Sequence, residues 1–127
     1  MTYFHQKLTA FRRDLHRHPE LGFEETRTKA KIATALRALG LSVSEGVGVV
    51  GVLKCGSGTR AIALRADMDA LPISETSAHE YSSLTPGVMH ACGHDGHTTM
   101  LLGAAELLSQ SQDFDGTVIF VFQPNEE

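Results

Sequence analysis

Apolar positions along the chain follow two different periods. Phe4, Leu8, Phe11 and Leu15 are spaced by four, three and four residues, one stripe of a helix predicted over 2–17 and stopped by Pro19. A second helix is predicted over 24–39. Glu24 and Glu25 stand in its first turn, Ile32, Leu36 and Leu39 form its buried stripe, and Gly40 occupies the C-terminal cap. The period then shortens. Val47, Val49, Val50, Val52 and Leu53, set among glycines, predict a strand that Gly56-Ser57-Gly58 closes as a turn. Residues 60–65 predict a second strand, paired with the first as a hairpin. Periodicity is lost over 67–96, and an irregular stretch of that length inside a compact domain is usually functional. Thr98 or Thr99 is predicted to cap a third helix with Leu101, Ala104, Ala105 and Leu108 facing the core. Thr117 to Phe122 is an unbroken apolar run, the pattern of a strand covered on both faces. The order of elements is that of an α/β fold without internal repeats.

Composition narrows the class of function. The chain has 127 residues, enough for one hydrophobic core and too few for two. Eleven Lys and Arg against 15 Asp and Glu give a formal charge of -4, so there is no basic field for nucleic acid. The longest apolar stretch, 100–108, is interrupted by Glu106 and too short for a bilayer, which predicts no membrane partner. Met1 to Arg13 has no apolar core of a signal peptide, and Cys55 and Cys92 are too few for a secreted disulfide framework; a cytoplasmic location is predicted.

Three clusters carry ligand-type side chains. His90-Ala91-Cys92-Gly93-His94-Asp95-Gly96-His97 places three of the seven histidines, a cysteine and an aspartate within eight residues. Thiolate and imidazole together suit zinc or another late divalent ion, and the glycines allow Cys92 and His94 to converge. Asp67 and Asp69 follow the strand predicted over 60–65, where carboxylates line the crevice of open α/β sheets; capping a turn or pairing with Arg65 is the alternative. Glu126 and Glu127 follow the most apolar strand. Neighbouring carboxylates point in different directions, so one can hold a metal while the other takes a proton from water.

Four segments, His16-Arg17-His18-Pro19-Glu20-Leu21-Gly22, 63–72, 89–98 and Gln123-Pro124-Asn125-Glu126-Glu127, resemble the aminoacylase/carboxypeptidase metallopeptidase family. Within it they are most similar to the hippurate hydrolase and N-acyl-amino-acid amidohydrolase branch. The resemblance implies an αβα sandwich of the zinc-peptidase type, two divalent metal ions (Zn, Mn, Ni or Co), and hydrolysis of the amide of a small N-acyl amino acid. Carried over by position, it implies Cys92, His94 and Glu127 as metal ligands and Glu126 as general base. Asp69 is implied as the acid that supports the site; where the wider family has a metal-binding histidine two residues earlier, this sequence has Asp67, a change the Cys92-containing branch shares.

The family pattern places two further metal-binding histidines downstream, with a smaller lid and dimerisation domain between them. The resemblance therefore implies that residues 1–127 are the N-terminal part of a catalytic domain, inactive alone, from an enzyme that forms homodimers. An N-acetyl-diaminopimelate-type deacetylase fits the same motifs. So does a metal-independent hydrolase with Cys92 as nucleophile and a neighbouring histidine as base, and a fragment without turnover is the non-catalytic alternative. Missing sheet neighbours are expected to leave Val118, Phe120 and Phe122 near an unpaired edge. His16 and His18 are expected to serve a helix end, and His79 to be solvated.

Overall fold

The computed structural model describes residues 1–127. Helix α1 spans Tyr3–Arg17 and α2 Thr26–Ala38; strands β1 (Ser42–Glu45), β2 (Val49–Cys55) and β3 (Ala61–Asp67) follow, then α3 (His94–Ser111) and β4 (Gly116–Gln123). The hydroxyl of Thr2 caps α1 by accepting the His5 amide. Helix α2 starts later than its acidic residues suggest, because Glu25 precedes it and makes no cap bond. Glu20 caps it instead: its carboxylate accepts the amides of Arg27 and Thr28 and the Thr28 hydroxyl.

The four strands form one mixed sheet in the order β1-β2-β4-β3. Strand β2 pairs antiparallel with β1 and β4, and β3 pairs parallel with β4. The hairpin expected of β2 and β3 does not form, because β4 lies between them. The Gly56–Gly58 turn is tied instead to the start of β4, where the Asp115 carboxylate accepts the Gly58 amide. As the most apolar strand, β4 buries most by lying at the centre. Strand β3, helix α3 and β4 thus form a parallel crossover unit, which needs a long connection. The expectation of an unpaired edge at Val118, Phe120 and Phe122 is also overturned. All three are buried in β4, Phe120 to 0% exposure, and the edges are β1 and β3.

Burial alternates along β4. Val118, Phe120 and Phe122 share their face with Val49, Leu53 and Ala66, and they form a single core with Ile32 and Leu36 of α2 and Leu101, Leu102 and Ala105 of α3. Helix α1 packs on α3, with Phe11 reaching the core. On the other face Val50, Val52, Ile119 and Val121 remain half-buried. The α/β class is thus borne out, and these residues supply the sheet and one helical layer. No helix is long and apolar enough to cross a membrane.

Candidate active site

Parallel pairing of β3 and β4 sets Asp67 opposite Gln123, so both strands deliver their carboxyl ends to one edge of the sheet. The ladder runs one step further, with the Met68 amide donating to the Gln123 carbonyl at 3.1 Å. Helix α3 starts over the same edge. Its N-cap is Gly93 in the left-handed conformation, φ 81°, a geometry that glycine adopts without strain. The helix therefore begins at His94, one turn before the Thr98 or Thr99 cap expected from sequence. Thr98 has a different role, donating its hydroxyl to the Asp67 carbonyl at 2.8 Å.

His94 is the buried hub. Its Nδ1–H donates to the carbonyl of Asp69 at 2.9 Å and to its carboxylate at 3.0 Å, which leaves Nε2 as a lone-pair donor. Around Nε2 lie Glu126 Oε2 at 3.4 Å, Asp67 Oδ2 at 3.5 Å and Glu127 Oε1 at 3.6 Å. One ligand atom each from Cys92, His94 and Glu127 falls within 4.8 Å of the others, and Asp67, His94 and His97 form a second such group. All five residues singled out from sequence (Asp69, Cys92, His94, Glu126 and Glu127) therefore meet. The donor set of one thiol, one imidazole and several carboxylates fits a divalent ion.

Electrostatics at this edge follow from crowded carboxylates. Burial alone would raise the Asp69 carboxyl, but the amides of Glu127 and Glu126 and the His94 ring outweigh it and hold it below the usual carboxylate value. Cys92 is exposed, yet its thiol is pushed up, first by its hydrogen bond to Glu127, then by desolvation and by the charges of Glu127, Glu126 and Asp67. An anionic site disfavours a thiolate until a cation neutralises it.

A layer of hydrogen bonds lies behind the hub. His97 donates to Asp67 at 2.7 Å. His16 bridges Asp95 at 2.9 Å and Glu75 at 3.0 Å, and Arg12 pairs with Asp95 at 2.8 Å. Glu75 ties down the irregular stretch by accepting from Ser77 and the Ser83 amide; although burial opposes it, these bonds and His16 hold its carboxyl down at about 2. His18, as expected of a helix end, donates to the Asp14 carbonyl. His79 stacks on Tyr81 with ring centroids 4.9 Å apart. Apart from His97, which flanks Cys92 and His94 in sequence, only the position of His16 and His18 at the end of α1 hinted at this layer, since its partners are distant in sequence. An apolar hollow of about 490 Å³, lined by Ile62, Leu64, Leu108 and Phe114, lies at the opposite end of the sheet and plays no part in the cluster.

A crossover sheet that brings thiol, imidazole and carboxylate donors to the carboxyl ends of its parallel strands defines a candidate divalent-metal site. Residues 63–127 match peptidase family M20/M25/M40, and the chain belongs to that family. IAA-amino acid hydrolase ILR1-like 5 of Arabidopsis thaliana is 52% identical over 127 residues, covering 98% of this chain and 29% of its own length. Hippurate hydrolase of Campylobacter jejuni is 51% identical over 119 residues, covering 91% and 31%. The crystal structure of the Bacillus subtilis YXEP protein, described as a dinuclear metal binding peptidase, superimposes with a TM-score of 0.92 at 44% identity, covering 95% of this chain and 35% of its own. The chain thus spans about a third of the length of these relatives.

Proposed function

We propose that the protein containing these residues is a metal-dependent amidohydrolase that cleaves N-acyl amino acids into a carboxylic acid and an amino acid. The observation that carries the reading is the convergence of Cys92, His94 and Glu127, with the Glu126 carboxylate 3.4 Å from the same imidazole nitrogen. Relatives named for hippurate and for IAA-amino acids support the substrate class, hippurate being an acylated glycine. A site for two divalent ions, drawn from Zn, Mn, Ni and Co, is supported by the dinuclear description of the YXEP protein and by the acidic donor set. Small acyl amino acids are the expected partners, the whole enzyme is expected to be a cytoplasmic homodimer, and a lid and dimerisation domain is expected beyond Glu127.

Divalent ions held here would supply Lewis acidity to the carbonyl and acidify the attacking water. Asp69 fixes the His94 ring so that Nε2 faces the site, and its other oxygen accepts the Glu127 amide at 3.0 Å. Cys92, His94 and Glu127 would hold the cation, with Cys92 bound as its thiolate. Glu126 takes the proton from the attacking water and returns it to the leaving amine. Its position beside the ligands, without a strong hydrogen bond to any of them, leaves its carboxylate free to do so.

The alternative with Cys92 as metal-free nucleophile is disfavoured by the upward push on its thiol from surrounding carboxylates. A cysteine nucleophile is activated by cationic neighbours, whereas the groups around His94 Nε2 are the carboxylates of Asp67, Glu126 and Glu127. Residues 1–127 alone supply only three of the expected metal ligands, and we expect them to bind metal weakly and turn nothing over.

The test is hydrolysis of benzoyl-, indoleacetyl- and acetyl-amino acids, N-acetyl-diaminopimelate included, by the full-length protein with and without chelator. Loss of hydrolysis on chelation and recovery with one of the four metals is expected. Chelator-insensitive hydrolysis that alkylation of Cys92 abolishes would overturn the proposal.

A further inference from the structure

Glu25 is 2% exposed, although it sits at the exposed start of α2. It does not cap that helix, a task already performed by Glu20. Its side chain turns inward, where Oε2 accepts the Asn125 amide at 3.0 Å and Oε1 is buried without a partner. A buried carboxylate with an unpaired oxygen is costly, and an apolar residue there would serve stability better. Burial, followed by the charges of Asp69 and Glu20, raises its carboxyl above the usual value despite the amides it accepts.

The partner of Glu25 is the turn that follows β4. Asn125 takes the left-handed conformation, φ 48°, and this bend separates the strand from Glu126 and Glu127. A second contact comes from the same N-terminal segment. A Cβ on Gly22 would stand 2.0 Å from Asn125 Oδ1, so Gly22 is the cradle in which the Asn125 side chain lies. The segment itself is anchored beside the site, since the Ala70 amide donates to the Glu20 carbonyl at 2.8 Å. From the other side Asp69 accepts the Glu127 amide. Two buried acids therefore grip alternate amides of the turn, at Asn125 and Glu127, with Glu126 between them.

We propose that Glu25 and Gly22 are positioning residues that hold the Pro124–Glu127 turn and thereby aim Glu126 and Glu127 at His94. The inference rests on the reading of Glu126 as base and Glu127 as ligand. It explains why residues about a hundred positions before the turn belong to the machinery without touching substrate.

The test uses the full-length protein, with two readouts. One is hydrogen exchange of the Asn125 amide, followed by NMR in the metal-free state; the other is Co(II) affinity, followed by the thiolate-to-cobalt absorption of Cys92. Glu25→Gln keeps an acceptor oxygen and is expected to retain Asn125 protection and Co(II) affinity. Glu25→Ala is expected to lose the protection and to weaken Co(II) binding about 10–100-fold, the range for residues that orient ligands. Gly22→Ala should give the same loss by displacing the Asn125 side chain. The double variant Gly22→Ala/Asn125→Gly should recover, because glycine removes the clash and suits the left-handed φ. Should Glu25→Ala fail to fold, the Gly22 pair decides alone. A folded Glu25→Ala protein with wild-type protection and affinity, or a double variant no better than Gly22→Ala, would overturn the proposal. If the wild-type protein binds no Co(II), the metal reading fails, while the exchange difference between Glu25→Gln and Glu25→Ala still reports on the clamp.

Discussion

His90 is 5% exposed, and neither ring nitrogen has a hydrogen-bond partner. Burial pushes its pKa from 6.5 down to about 4; the charges of Asp95 and Asp69 oppose this, and those of His16 and His94 add to it. In the unfolded chain the same ring takes up a proton near 6.5, so between 6.5 and about 4 the unfolded state holds more protons than the folded one. The contribution of His90 is therefore fully present above 6.5 and is lost as pH falls to about 4. At about 1.4 kcal/mol per pH unit, that window amounts to about 3 kcal/mol. His90→Leu removes the titration together with two unsatisfied buried nitrogens, and its stability at pH 7 should lie within about 1 kcal/mol of wild type. Urea denaturation followed by circular dichroism, in chelator and at intervals from pH 7 to 4, provides the assay. The variant should gain about 3 kcal/mol on wild type across the range. Acid losses from Asp14, Asp69 and Glu75, all held below their usual values, affect both proteins and cancel in the difference. A stability difference that stays constant with pH would refute the assignment of a neutral, desolvated imidazole.

Three further outcomes are expected. Phe120→Ala, at a 0% exposed position in the central strand, should cost about 3–5 kcal/mol in the same denaturation assay. Asp69→Asn cannot accept from both His94 and the Glu127 amide through carboxylate oxygens, so divalent-metal affinity measured by calorimetry should fall about 10–100-fold while the fold persists. With its carboxyl held down at about 2, Glu75 contributes stability that is present above pH 4.5 and lost as pH falls towards 2. Limited proteolysis within 74–90 should accelerate over that window in wild type and show a weaker pH response in Glu75→Gln.

Much of the candidate site was legible because its candidate ligands are local. Cys92 and His94 are two residues apart, and Glu126 and Glu127 closely follow the one strand whose apolar run admits no other reading. The helices α1 and α2 and the strands β2 and β4 were legible from periodicity for the same reason. Strand order was not. Gly56-Ser57-Gly58 signals a reversal but cannot say which strand lies alongside, a choice made by the burial that β4 gains at the centre. Strand β1 escaped notice because Ser42, Ser44 and Glu45 leave Val43 as its only apolar residue. The start of α3 was hidden by Gly93 and Gly96, which read as loop. Glu25 was misplaced into a helical turn because its true partner, the Asn125 amide, lies a hundred residues away.

The central claim is that the adjacent carboxylates divide the labour of ligand and base. It is tested most directly by measuring bound metal and turnover together in the full-length protein for Glu126→Gln and Glu127→Gln. The amide keeps the shape of the carboxylate and removes its basicity. Glu126→Gln should retain nearly all of its metal and lose turnover, and Glu127→Gln should lose metal. Equal metal loss in both variants, or full turnover in Glu126→Gln, would contradict the account.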